Sequence, residues 1–399
     1  MKKLISLVLV LVMLASLTVA FSSCNGKDEF KVGFIFLHDE NSTYDKNFID
    51  AANAAAKALG LKDEQVIMKV GIPEGSECFD AAEELVAEGC DLVFADSFGH
   101  ESYMIQAAKK YPDVQFCHAT GTMAHTEKLA NYHNAFASIY EGRYLAGIAA
   151  GMKLNEMIKD GKITEEQAKV GYVGAWPYAE VKSGYTSFFL GVRSVCPTAT
   201  MKVEYTNSWF DIALEREAAL NLINDGCVLI SQHADSEGAP KACEEKKVPN
   251  VAYNISTIGI APTTALISSK INWEPYMKMI IEKTKDGKGA EIPYDWCGGL
   301  EEGSVQLTEL NSAVAAEGTQ EAIDAAIAQF NAGTLHVFDT SKFTVKGETL
   351  TSYKADVDSD EAFTPDTEVI HDGYFDESAD GKRSAPYFDL IIDGIEAAQ

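Results

Sequence analysis

The chain repeats itself once over roughly 138 residues, and this limits the folds open to it more than any single motif does. KVGFIF (31–36) is a short apolar run rich in β-branched and aromatic residues, and KVGYVG (169–174) echoes it; GCDLVF (89–94) returns in the same way as GCVLIS (226–231). Between the two halves the intervening pieces also correspond. QVIMKV (65–70) matches MKVEY (201–205), and the amphipathic SECFDAAEELVAEG matches FDIALEREAALNLINDG. Apolar runs of this length predict buried strands, and the 3.6-periodic stretches closed by glycine predict helices. Strands that alternate with helices build a mostly parallel sheet covered on both faces. The period is too long for a solenoid, so the expectation is an α/β protein of two similar doubly wound lobes.

A chain of 399 residues with 46% hydrophobic content suits two such lobes. The expected division is lobe 1 from 30 to 125, with returning segments from about 265 to 320, lobe 2 from 126 to 262, and an appended extension from 335 to 399. Beyond Asn254 the pattern loosens into a helix at Trp273 to Asp286, a strand pair near Ile292 to Leu307 and a helix at Thr319 to Ala332. In the extension, GTLHVFDTSKFTVKGETL is expected to be a hairpin, and RSAPYFDLIIDG is apolar enough to dock back onto the body.

The N-terminus, MKKLISLVLVLVMLASLTVAFSSCNG, has two lysines, an apolar run from Leu4 to Phe21 and small residues ending at Cys24. This is the layout of an export signal over residues 1–23. The run is also long enough to span a bilayer, so an uncleaved anchor is the alternative. Ser22 and Ser23 before Cys24 resemble the lipobox of bacterial lipoproteins, with Phe21 where leucine is usual. That resemblance implies lipidation of Cys24, a short linker over 24–29 and a folded body tethered outside the plasma membrane.

The net charge is −27, and removal of Lys2 and Lys3 leaves 31 basic against 60 acidic residues. Phosphate contacts need clustered Lys and Arg, so nucleic acid and anionic lipid surfaces are excluded as ligands. Seven cysteines follow Cys24, an odd and scattered set without a CxxC pair. Buried free thiols fit this better than a disulfide framework.

In parallel α/β sheets, ligands bind beyond the carboxyl ends of the strands. At those ends the sequence places Asn41 and Tyr44, then Ser97 and Phe98, in the first lobe. The second lobe has Trp176, Trp209, His233, Asp235 and Asn254. If the lobes face each other, aromatic stacking area and directed hydrogen-bonding groups meet in one cleft, which suits a flat polar molecule. Core packing of the tryptophans and helix capping by Asn41 or Asp235 are the plainer roles for the same residues.

DGCVLISQHADSEG (225–238) brings Cys227, His233 and Asp235 together in sequence and raises the question of catalysis. Along an extended strand Cys227 and His233 are about 20 Å apart, too far for a dyad. His233 and Asp235 alone do not make a metal site. GxxxxGK[ST], GxGxxG and GxSxG do not follow any strand, so neither a cofactor nor an enzyme is expected. An extracellular nucleoside hydrolase remains the enzymatic alternative, with Asp39, Glu40 and Asp45 as its acids. A solute-sensing receptor without a permease would use the same fold.

YDKNFIDAA, FADSFGHES, YPDVQFCHATG, YEGRYLAGIAAG, VGYVGAWPYAEV, NSWFDIALEREAA and QHADS resemble segments of the Bmp family of lipoprotein substrate-binding proteins, a group that includes the purine-nucleoside receptor of spirochaetes. The resemblance runs from about Lys31 to Leu310. It implies a type I periplasmic-binding-protein fold with two lobes on a hinge, a purine-like ligand between aromatic rings, and delivery to ABC permease and ATPase subunits. Asn41 and Tyr44 fall where members often show Asp-x-Gly-aromatic, so the aromatic is kept and Asp becomes Asn. Asn254 falls near an Asp that nucleoside receptors use for ribose, and Lys270 stands one position before an expected lysine. A base without ribose, or another flat heterocycle, is therefore as open as a nucleoside. The hinge is expected near Thr120 to Met123 and Asn254 to Thr264, with Gly121, Gly259 and Pro262.

Overall fold

The computed structural model describes residues 29–356, 367–377 and 383–397; the expected signal peptide, Cys24 and the linker up to residue 28 lie outside them. The first half alternates β1 (Val32–Ile35), α1 (Thr43–Ala58), β2 (Val66–Lys69), α2 (Ser76–Ala87), β3 (Leu92–Ala95), α3 (Glu101–Lys110), β4 (Gln115–Ala119), a short α4 (Ala124–Glu127) and β5 (Tyr132–Ala137). The long α5 (Ile139–Lys159) leads into the second set: β6 (Lys169–Gly174), α6 (Ala179–Val195), β7 (Thr200–Tyr205), α7 (Ile212–Asn224), β8 (Leu229–Gln232), α8 (Gly238–Lys246) and β9 (Asn250–Tyr253). There follow β10 (Ala265–Ile271), α9 (Glu274–Lys285), β11 (Asp295–Gly298), β12 (Val305–Leu307) and α10 (Thr319–Asn331).

Two sheets result. The first has the order β11-β5-β4-β3-β1-β2, and the second runs β12-β10-β9-β8-β6-β7 and ends on a strand at Ile395–Ala397. Within these two sheets all pairings are parallel except β12 against β10, and two short antiparallel pairs, Lys354–Ala355 with Thr367–Glu368 and Ile370–His371 with Tyr374–Phe375, lie apart from them. This is the type I fold of periplasmic solute-binding proteins, with apolar residues buried on both faces of each sheet.

The chain divides between the sheets differently from the sequence expectation. β5 pairs with β4 and β11 in the first sheet, so lobe 1 continues past 126 to Ala137. β10 and β12 belong to the second sheet, whereas α9 packs on α1 and β11 joins the first. The strand pair expected near Ile292 to Leu307 is thus two strands in different lobes. The chain crosses three times, at Ser138, at Asn272–Trp273 and between Gly298 and Val305, and the crossings are tied together. Ser138 N–H donates to the Gly298 carbonyl at 2.9 Å and Asn272 N–H to the Ser304 carbonyl at 2.7 Å. Thr120 to Met123 and Asn254 to Thr264 are loops within a lobe; the first is held by the Glu101 carboxylate, which accepts from the Thr122 and Met123 amides. Hydrophobic pattern marks a segment as a buried strand without saying which edge it will pair with.

Past α10 the chain packs on lobe 2. Phe338, Phe343, Phe375, Tyr387 and Phe388 join its main apolar cluster, and Ile395–Ala397 adds a parallel strand beside β7. The expected hairpin is irregular, with only an isolated bridge between Val345 and Glu348. Its aromatic residues turn inward, and Phe338 stacks on Phe388 at 4.5 Å. The extension also touches lobe 1, where the Ser384 amide donates to Asp295 Oδ1 on β11 at 3.1 Å.

Candidate ligand-binding site

The carboxyl ends of the two sheets face each other across a narrow cleft, with about 380 Å³ of space outside protein atoms when the solvent at its mouth is included. From lobe 1 it is lined by Leu37, His38, Tyr44, Asp45, Ser97, Phe98 and Thr120. Lobe 2 contributes Glu180, Trp209, His233, Asp235 and Tyr253.

On the lobe 1 side, Ser42 caps α1 by accepting from the Asp45 amide at 3.2 Å. This sets Asp45 at the first turn, where its carboxylate accepts from the His38 amide at 2.7 Å and the Ser42 hydroxyl at 2.5 Å. Burial opposes that charge, but the bonds from His38 and Ser42 outweigh it and hold Asp45 below the usual carboxylate range. Asp96, at the end of β3, behaves in the opposite way. Burial and then the charge of Asp45 push it well above that range. Its Oδ1 accepts from the Leu37 amide at 3.1 Å, and its Oδ2 is buried without a partner. The Tyr44 hydroxyl donates to the Asp96 carbonyl at 2.7 Å, which fixes the ring against the cavity.

Lobe 2 supplies a wall of rings. Tyr178 lies 6.1 Å from Trp209 and, across the lobes, 5.8 Å from Phe98. The Asp235 amide donates to the Trp209 carbonyl at 2.9 Å, so the loop after β8 positions the indole. His233 Nε2 faces Glu180 at 3.3 Å. Burial and the nearby Arg143 depress His233 to about 4, so it is neutral at pH 7. Burial and then the charge of Glu215 raise Asp235 well above the ordinary range.

The lobes touch directly beside the cavity. Thr43, at the start of α1, donates through its amide (2.9 Å) and hydroxyl (3.0 Å) to the Asp235 carbonyl. Asn47 Nδ2 donates to Asn254 Oδ1 at 3.2 Å, and Asn254 Nδ2 to Asp235 Oδ1 at 3.2 Å.

Of the residues expected at the site, Tyr44, Ser97, Phe98, Trp209, His233 and Asp235 line the cavity. Asn41 is a correction: it is exposed, and its amide donates to Asp39 Oδ1 at 2.8 Å. Trp176 is likewise outside the lining: it stacks on Tyr178 with rings 5.8 Å apart and packs against the lobe 2 core. Asn254 is buried in the contact between lobes. The residues missed were His38, Thr120, Glu180 and Tyr253, while Asp45 had been weighed only as a hydrolase acid. Tyr253 closes β9 and could have been found by reading the last strand residue as well as the loop after it.

The seven cysteines among the described residues are unpaired, and burial raises Cys227 to about 11, which makes it a poor nucleophile. No cluster of three or more metal-ligating side chains occurs among the described residues. None of their helices is long and apolar enough to cross a membrane.

Comparison with known proteins gives a family and several relatives. The model of the family described as Bmp, ABC transporter substrate-binding protein PnrA-like, matches residues 35–334. A purine-binding protein of Brucella abortus is 33% identical over 289 residues, which cover 71% of this chain and 77% of that one. A Haloferax volcanii protein bearing the name of an ABC transporter glucose-binding protein is 37% identical over 235 residues, covering 59% and 56%. An ABC transporter solute-binding protein from Conexibacter woesei superposes with a TM-score of 0.62 at 20% identity, covering 77% of this chain and 98% of that one.

Proposed function

The chain belongs to the Bmp family of PnrA-like ABC transporter substrate-binding proteins, and from that premise we propose that it takes up a neutral purine base or nucleoside between its lobes and delivers it to an ABC importer. The observation that carries the ligand class is the cavity itself. It combines Tyr44 and Phe98 from one lobe, Trp209 and Tyr253 from the other, and polar groups able to both donate and accept. Rings on two sides suit a flat heterocycle, and the Ser97 hydroxyl, the His233 imidazole and the Asp45 carboxylate among the lining suit the mixed donor and acceptor edge of a purine. Ligand bridging both lobes stabilises the closed form by its differential affinity, with motion at the three crossings.

Charge narrows the ligand further. Asp45, whose carboxyl is held below the usual range, lines the cavity together with Glu180, and among the described residues no Lys or Arg does. A nucleoside monophosphate is therefore expected to bind at least about tenfold more weakly than its nucleoside, since like charges in a partly desolvated site repel.

Calorimetry with adenine, hypoxanthine, adenosine, adenosine monophosphate and glucose tests the ligand class. Heat from glucose with none from any purine would overturn it, and glucose is the pertinent control given the name of the Haloferax relative. Release of free base from adenosine would support a hydrolase instead. Trp209→Ala is expected to weaken purine binding about 10- to 100-fold, from a stacking contribution of about 1–3 kcal/mol. Trp176→Ala should cost less, because that ring lies outside the cavity lining. Equal losses in both variants would refute the lining described above.

For the anchor, we propose lipidation at Cys24 after cleavage of residues 1–23. Incorporation of labelled fatty acid that is abolished in Cys24→Ala, with release of the protein from membranes, is the expected result. Unlabelled protein would point to the uncleaved apolar run as the anchor.

A further inference from the structure

Lobe 2 contains a second polar cluster, on the face of its sheet that α5 and α6 cover. Arg143 projects from α5 and is 1% exposed. Its Nη1 donates to the Gln232 carbonyl at 2.7 Å, and the guanidinium lies over the Tyr253 ring, 3.6 Å from the centroid. Nε and Nη2 are buried without a hydrogen-bond partner, and no carboxylate among the described residues forms an ion pair with this side chain.

The groups around it share that condition. Strand register sets Tyr172 beside Ser231 and Tyr253 beside Ser269, on one face of the sheet. The hydroxyls of all four are buried and unpartnered, as is Nδ1 of His233. The His233 and Tyr253 rings are 5.3 Å apart. A Cβ added to Gly184 of α6 would fall 2.7 Å from His233 Nδ1 and 3.5 Å from the Tyr172 hydroxyl, so that helix closes the cluster on one side.

Native interiors leave few polar groups unpaired, and a concentration of them in one place requires a cause. The hydroxyls and guanidinium nitrogens here can all donate, and they surround a cation, because a guanidinium stays charged inside proteins. With Nε2 donating to Glu180, His233 Nδ1 is an acceptor, available to the Tyr172 hydroxyl. The net excess is of donors. Water would satisfy the hydrogen bonds but leave the charge uncompensated in a low dielectric, whereas an anion satisfies both.

We propose that this cluster is an interior site for one small monatomic anion of the chloride type, bounded by Arg143 and by the hydroxyls of Ser231, Tyr253 and Ser269. The anion neutralises Arg143, which in turn holds the Gln232 carbonyl and the Tyr253 ring. Because Tyr253 also lines the cleft, the anion stiffens one wall of the ligand site from behind. It is separate from the cleft ligand and does not depend on which solute that is.

Crystals of the folded body grown in bromide provide the direct test. An anomalous peak within hydrogen-bonding reach of Arg143 Nη2 is expected, and its absence, with water alone in the cluster, overturns the proposal. Melting at constant ionic strength, with chloride exchanged for gluconate, gives a second measure. A rise of about 2 °C is expected once chloride is tenfold above its dissociation constant, and no rise in Arg143→Met. A rise that persists unchanged in that variant assigns the effect to the surface and counts against the site. If Arg143→Met does not fold, the bromide map of the unaltered protein decides alone. Purine calorimetry reads the cleft independently, so failure of either proposal leaves the other standing.

Discussion

Replacing Gly191 by alanine is expected to lower the unfolding free energy by about 2 kcal/mol, in opposition to helix propensity. At an open helical position the same change would stabilise by up to about 1 kcal/mol, because glycine is the poorer helix former. Here α5 and α6 meet backbone to backbone. A Cβ on Gly191 would lie 2.0 Å from the Tyr144 carbonyl oxygen, and one on Gly147 would lie 2.1 Å from the Phe188 carbonyl oxygen. Backbone atoms in the middle of a helix cannot rotate away as a side-chain end can, so the helices must separate and the apolar cluster around Leu145, Phe188 and Val192 loosens. Overpacking of this kind costs roughly 1–3 kcal/mol. Urea unfolding of Gly191→Ala and Gly147→Ala checks the expectation, and increased stability in both would show that the interface has slack.

Glu377→Gln is expected to make the protein more stable at pH 8 while changing it little at pH 4.5. Glu377 is 6% exposed and joins the extension to α6, accepting from the Ser183 hydroxyl and the Phe388 amide, each at 2.7 Å. Burial raises its carboxyl to about 7. The folded value lies above the unfolded one, so the native state holds its proton more tightly. The stability this contributes is complete below about pH 4.5 and is lost as the pH rises through about 7. Glutamine makes the same contacts without titrating, its oxygen accepting from Phe388 and its amide donating to Ser183. The gain at pH 8 should be on the order of 3 kcal/mol, the free-energy equivalent of moving the carboxyl from its ordinary range to about 7. Unfolding measured from pH 4.5 to 8 should fall less steeply in the variant. Parallel curves would mean that Glu377 titrates normally and that the segment is solvated.

Ordinary rules of burial account for what was legible in advance. Tyr44, Ser97, Phe98, Trp209, His233 and Asp235 were identified because each follows a recognisable strand, and in a parallel sheet the carboxyl ends gather at one edge. Asn41 failed since Ser42, one residue later, caps α1 and leaves Asn41 turned outward to Asp39. Trp176 falls outside the lining because its ring stacks on Tyr178 and packs against the lobe 2 core. Glu180 and Tyr253 were missed because one sits inside a helix and the other inside a strand, where the pattern indicates packing.

From its sequence alone the chain determined that it would form two α/β lobes, that aromatic and polar groups lining a cavity would collect at their strand ends, and that RSAPYFDLIIDG would return to the body. These follow from apolar periodicity and turn chemistry, which act within a few neighbouring residues. Only the tertiary structure decided that β5 and β11 complete one sheet while β10 and β12 complete the other, and hence where the three crossings lie. It alone paired Asn47 with Asn254, Thr43 with Asp235 and Arg143 with Tyr253. Strand pairing and buried polar contacts depend on which distant segment offers the matching edge or atom, and that is a property of the assembled chain rather than of any stretch of it.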